Sequence, residues 1–177
     1  IGVIKGMRGK EILAAIFQAG KTTAPIMFLL ITAQMYSRLL AIGGAVNYIK
    51  ASFLSLGVDS FMIIGLMVVI WILLGMLIDS VSIILLTVPI FAPIAAVLGI
   101  DPLAFAIFGI LVIEAGLLTP PFGLLVYTVK GSVPDPTATL SKIFIGSFPY
   151  FLLILAAAFI VLFIPQLANW LPAIMLR

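Results

Sequence analysis

Gly75-Met76-Leu77-Ile78-Asp79-Ser80 and Glu114-Ala115-Gly116-Leu117-Leu118-Thr119-Pro120-Pro121-Phe122-Gly123 each break a long apolar run near its middle. In hydrocarbon an unpaired backbone group is costly. A membrane helix that interrupts itself is therefore tolerated only where the break lines a protein cavity or holds a ligand. Two such breaks in one chain are the pattern of a secondary transporter.

The composition places both breaks in a membrane. The chain is 64% hydrophobic and 8% charged, against about 45–50% and about 25% in a soluble domain. From Ala51 to Val129 there is no Lys or Arg, yet Asp59, Asp79, Asp101 and Glu114 lie there. A membrane region with acids and no fixed cations suits a mobile cation. Asp59 and Asp101 are also explained by the water boundary alone, whereas Asp79 and Glu114 fall inside apolar segments. The chain has no Cys and no His. Disulfides, thiolate metal sites, cysteine nucleophiles, haem ligation and histidine proton relays are thereby excluded, and no transition metal is expected. No Walker glycine loop, Gly-x-Ser-x-Gly elbow or His-Glu-x-x-His helix is present, so neither an enzyme nor an organic cofactor is expected. The first residue is Ile, as in a piece of a longer polypeptide.

Outward from the breaks, the chain divides into six segments. Residues 1–21 carry Lys5, Arg8, Lys10, Glu11 and Lys21 around Ile12, Leu13, Ile16 and Phe17, an amphipathic arm helix for the membrane interface. Residues 22–58 hold a span from Thr22 to Ile42, with Pro25 near its start, and a short connecting helix from Ala45. Residues 59–101 pair the uncharged runs Phe61 to Ile78 and Val81 to Leu98, each about 27 Å long as helix. They form either a full hairpin with a solvent turn or a re-entrant pair whose tip stops inside the membrane. The tip has an acid and no Lys or Arg, which favours re-entry over a cytoplasmic loop. Residues 102–130 are a discontinuous span, because proline removes an amide donor and forces its predecessor toward extended geometry. Leu118 and Thr119 should end one half and Gly123 open the other. Residues 131–145, with Pro134 and Pro136, read as a cytoplasmic loop, and residues 146–177 as the last span and a tail with Trp170 at the opposite interface. This topology puts Lys5, Arg8, Lys10, Lys21, Lys130 and Lys142 on the cytoplasmic side, leaving Arg38, Lys50 and Arg177 on the other.

A helix ending inside a membrane presents unpaired carbonyls, and one beginning there presents amides and partial positive charge. Carbonyls from Gly75 to Ile78 and from Gly116 through Leu118 to Thr119, with the Thr119 hydroxyl, suit a hard cation such as sodium. Amides near Ser80 to Ser82, and those after Pro121 toward Gly123, suit an anion. Asp79 is the charged cation ligand, a carboxylate neutralised by a proton or paired with a residue outside this segment, or simply the N-cap of the following helix. Ser82 and Thr87 read as back-bonded helix residues, and Glu114 as facing either the cavity or a partner helix.

The ordered series of a basic arm, Gly75-Met76-Leu77-Ile78-Asp79, Thr87-Val88-Pro89-Ile90-Phe91-Ala92-Pro93, Gly99-Ile100-Asp101-Pro102, Glu114 to Gly123 and a closing Ile164-Pro165 to Leu171-Pro172 resembles the C-terminal half of the large membrane subunit of tripartite ATP-independent periplasmic (TRAP) transporters. The resemblance implies an all-α integral membrane protein of the bacterial inner membrane, one inverted-repeat half of an elevator-type transporter. It implies sodium-coupled import of an organic acid such as a C4-dicarboxylate or sialic acid. Its implied partners are the N-terminal half of the same permease, a small four-helix membrane subunit, a periplasmic substrate-binding protein and lipid, with no nucleic acid. Sodium-binding roles fall on Gly75, Ile78, Asp79, Gly116, Leu118 and Thr119, and substrate-binding roles on Asp79, Ser80, Val81, Pro121 and Gly123. Related divalent-anion symporters carry Ser-Asn-Thr at the tip, where this chain has Asp79-Ser80-Val81. The alternatives are a dicarboxylate or citrate symporter that needs no binding protein, and a structural membrane anchor for an enzyme complex.

Overall fold

Every element in the computed structural model is helical among the described residues, which are 9–55, 57, 59–133, 135 and 137–175. The helices are α1 (Gly9–Ile42), α2 (Ala45–Ser55), α3 (Ser60–Gly75), α4 (Ser80–Val97), α5 (Pro102–Gly116), α6 (Leu124–Ser132), α7 (Leu140–Phe163) and α8 (Gln166–Met175). Three of them, α1, α4 and α7, are long and apolar enough to cross a membrane. The chain divides into two units, residues 1–43 and 44–177.

The first unit is α1. Where the charge pattern predicts an arm to residue 21 and a separate span from Thr22, the structure has one helix of 34 residues, about 51 Å long at the usual rise. Pro25 therefore lies inside a helix rather than near its start. A single proline removes one hydrogen bond. The helix formers on either side, such as Ala14, Ala15, Met27 and Leu29, carry the helix past it. Lys5 and Arg8 of the arm lie outside the described residues, as do Pro134, Pro136 and Arg177.

In the second unit α5 is central, packing against α3, α4, α7 and α8. The core forms around Trp71 of α3, only 1% exposed, whose ring lies 5.3 Å from Phe91 of α4 and 5.6 and 5.9 Å from Phe105 and Phe108 of α5. Its indole Nε1 donates to Thr87 Oγ1 at 2.9 Å, and that hydroxyl donates to Ile83 O at 2.7 Å. A buried indole N–H needs such a partner, and Thr87 is the buried polar residue within the core. On α5, Gly109 admits the ring, since a Cβ there would lie 2.9 Å from the indole Cη2.

Helix α7 begins earlier than the sequence predicts. Thr139 caps it by accepting the Lys142 N–H at 3.4 Å, so residues 140–145 of the expected loop are helical. The tail beyond Pro165 forms helix α8. Asp101, expected at the water boundary, caps α5 through hydrogen bonds from the Leu103 and Ala104 amides at 3.0 and 2.9 Å. The Ala104 amide, followed by the Asn169 side chain of α8, holds its carboxyl below the ordinary carboxylate range. A lowered carboxylate contributes stability above its ordinary pKa and loses it as pH falls through the folded value. Asp101→Ala should lower the thermal midpoint at pH 7, and the gap to the parent should narrow as pH falls below the ordinary carboxylate range. Melting curves across pH check this.

Candidate functional site

Helices α3 and α5 end side by side. A Cβ on Gly75 would lie 2.8 Å from Gly116 Cα and 3.0 Å from Ile113 O, and one on Gly116 would lie 3.0 Å from Gly75 Cα and 3.0 Å from Ile72 O. The two backbones touch where both sequence breaks begin, and only two glycines allow it. Trp71 packs one turn before this contact on α3 and Gly109 two turns before it on α5, so the helices run parallel and present their carbonyl ends together. Each end carries roughly half a negative charge.

The turns after these ends satisfy some carbonyls and leave others. Leu74 O accepts the Leu77 and Ile78 amides at 2.9 Å. Gly116 O accepts both the Thr119 amide at 3.0 Å and the Thr119 hydroxyl at 2.5 Å. Among the described residues no donor pairs with the carbonyls of Gly75, Ile78, Leu118 or Thr119. Of the six residues to which the sequence assigns a cation, Gly116 thus has its carbonyl doubly occupied. Helix α5 also stops at Gly116, ahead of the Leu118 and Thr119 end that the proline argument predicts.

Asp79 is the N-cap of α4. Its carboxylate accepts the Ser82 amide at 3.0 Å and the Ser82 hydroxyl at 2.6 Å. Ser82 is therefore bonded to the cap, not back to its own helix, whereas Thr87 is back-bonded as expected. Ser80 and Val81 form the first turn of α4. After the second break, Pro121 is exposed, the Pro120-Pro121 peptide is cis, and Gly123 opens α6 at φ +46°. Phe144 of α7 closes over Gly123, where a Cβ would lie 2.7 Å from its ring and 3.1 Å from Thr119 O. The structure thus links Gly75, Gly116, Thr119 and Gly123 in one chain of contacts. Asp79, Ser80 and Val81 stand at the tip between α3 and α4, and Pro121 in the second loop. The partnership of Gly123 with Phe144 has no signal in the sequence, because it joins separate helices. A cavity of about 320 Å³ between α4 and α5 is walled by apolar groups such as Ile84, Val88 and Ile110 and offers no site for a charged solute.

These features define an integral membrane protein with two broken helices whose interrupted ends meet. The family model of the tripartite ATP-independent periplasmic transporter, DctM component, matches residues 1–167, and the chain belongs to this family. It is 30% identical over 173 residues to the C4-dicarboxylate TRAP transporter large permease protein DctM of Pseudomonas aeruginosa, covering 96% of this chain and 40% of that protein. It is 28% identical over 155 residues to the sialic acid TRAP transporter large permease protein SiaM of Vibrio cholerae, covering 88% and 36%. It is 30% identical over 150 residues to the 2,3-diketo-L-gulonate TRAP transporter large permease protein YiaN of Escherichia coli, covering 84% and 34%. The chain thus spans about 40% or less of the length of these relatives.

Proposed function

We propose that this chain supplies half of the ion and substrate site of a sodium-coupled importer of an organic acid, working in the inner membrane by an elevator motion. The observation that carries this reading is the contact of Gly75 with Gly116, which gathers two carbonyl ends and their unpaired oxygens. Parallel helix ends repel, and a hard cation bound by oxygen relieves that repulsion. Gly75, Ile78, Leu118 and Thr119 offer backbone oxygens, Thr119 adds its hydroxyl oxygen, and Asp79 supplies the charge. The amides that begin α4 at Ser80 and Val81 and α6 after Pro121 and Gly123 face the carboxylate of the substrate.

On this reading α3 and α4 are a re-entrant hairpin. Helix α3 has 16 residues, about 24 Å, short of the ~30 Å hydrocarbon core. The substrate is an acid, as the relatives' names suggest. The N-terminal half of the permease, a small membrane subunit and a periplasmic binding protein complete the machine.

The test uses the full transporter in sodium-free vesicles, with sodium varied on the outside. Asp79→Asn keeps an N-cap, because asparagine accepts the same amide, while removing the charge. It should raise the sodium concentration for half-maximal uptake about tenfold, or 1.4 kcal/mol, with normal expression. Thr119→Ala should shift it in the same direction. Sodium activation curves that match the parent for both variants would remove these residues from the ion site.

A further inference from the structure

The apolar cavity between α4 and α5 has no part in the ion and substrate site. Ile84, Val88 and Ala92, each a turn after the last, wall it on α4, and Ala106, Ile110 and Ile113 wall it on α5. Trp71 of α3 lines its floor, with the indole N–H already donated to Thr87. The lining side chains therefore offer no free hydrogen bond, and the cavity suits only an apolar guest. Its rim is open, with Val88 39% and Ile110 47% exposed.

The cavity runs along α5 from Pro102, beside the capping Asp101, to Ile113, a turn short of the Gly116 contact. These helical steps cover about 16 Å, and one leaflet of the ~30 Å hydrocarbon core is about 15 Å deep. The charge of Asp101 sets its end of the cavity at the water boundary, so the groove spans a single leaflet. A methylene group takes about the space of a water molecule, ~30 Å³, so the cavity volume of about 320 Å³ matches a tail segment of about ten carbons. A helix with its side chains is about 10 Å across and too wide to enter. We propose that this groove binds one acyl tail of a membrane phospholipid, drawn from the leaflet on the Asp101 side and lying lengthwise against Trp71. The tail supplies dispersion contacts that the indole and the two helix faces otherwise lack. This site is separate from the ion site and stands or falls without it.

The experiment uses the complete permease with its partner subunits, in which Trp71 is the one tryptophan kept and all others are replaced by phenylalanine. It is reconstituted in phosphatidylcholine whose tails carry bromine, a contact quencher of indole emission. Tails brominated in their inner half should quench Trp71 more strongly than tails brominated next to the headgroup. Ala106→Phe fills the groove from its wall and should abolish most of this quenching, whereas Ala157→Phe, at an exposed position on α7, should leave it unchanged. Should the tryptophan-depleted protein fail to fold, the intact mass of the native complex released from detergent decides: the parent should retain one more phospholipid than Ala106→Phe. Equal quenching in the parent and Ala106→Phe would mean that only bulk lipid is sensed, and would overturn the site. Absence of quenching in the parent, as when side chains of a neighbouring helix occupy the groove, overturns it too, as does equal lipid retention by both proteins.

Discussion

Trp71→Ala should be the most damaging single truncation in the second unit, lowering its stability by about 3 kcal/mol. The indole is almost wholly buried and touches Phe91, Phe105 and Phe108 across three helices. In a bilayer the transfer part of the loss is small, because a separated helix face meets lipid tails rather than water. The cavity and the lost dispersion contacts remain. Trp71→Phe separates packing from hydrogen bonding: it keeps a ring but leaves the Thr87 hydroxyl without its donor, at about 1 kcal/mol. Thr87→Val should cost a similar amount from the other side. Thermal unfolding of the purified permease in detergent reads all three. A Trp71→Ala midpoint within error of the parent would mean that α3, α4 and α5 are held together elsewhere.

The second large effect is expected at the glycine contact. Gly75→Val and Gly116→Val each force a side chain into the facing backbone, with neighbouring atoms about 3 Å from the first carbon alone. No rotamer escapes, since the obstacle is main chain. Overpacking of this kind costs about 1–3 kcal/mol, and here it also drives apart the two carbonyl ends. Uptake should therefore fall to background even for protein that still folds. Gly65 on the same helix provides the control, because a Cβ there meets nothing within 4 Å. Gly65→Ala should be neutral or stabilise by up to about 1 kcal/mol. Normal uptake by both valine variants would separate the two breaks functionally.

The positions of the interruptions are legible in the sequence because aspartate, glycine and proline act on their own immediate backbone. Asp79 and Asp101 cap the helices that follow them, and Pro120-Pro121 with Gly123 keeps α5 and α6 apart. Such effects reach only a few residues. The meeting of Gly75 with Gly116, the bond from Trp71 to Thr87 and the lid of Phe144 on Gly123 depend on how separate helices pack, and no periodicity encodes that. The same limit explains α1. A charged arm followed by an apolar span looks like two elements by composition, yet nothing local stops the helix between Lys21 and Ala24. It also explains Gly116, whose carbonyl looks available from its place near a helix end but is taken by Thr119 three residues later.

The central place of α5 has a consequence for biosynthesis. The ribosome delivers α3 and α4 before the helix that Trp71 and Gly75 need, and α7 and α8 only afterwards. Until α5 emerges, Trp71 and Gly75 lack the α5 side of their contacts, and α4 can pack only on α2 and α3. The packing that brings the two interrupted ends together is therefore completed only once one short helix has been made.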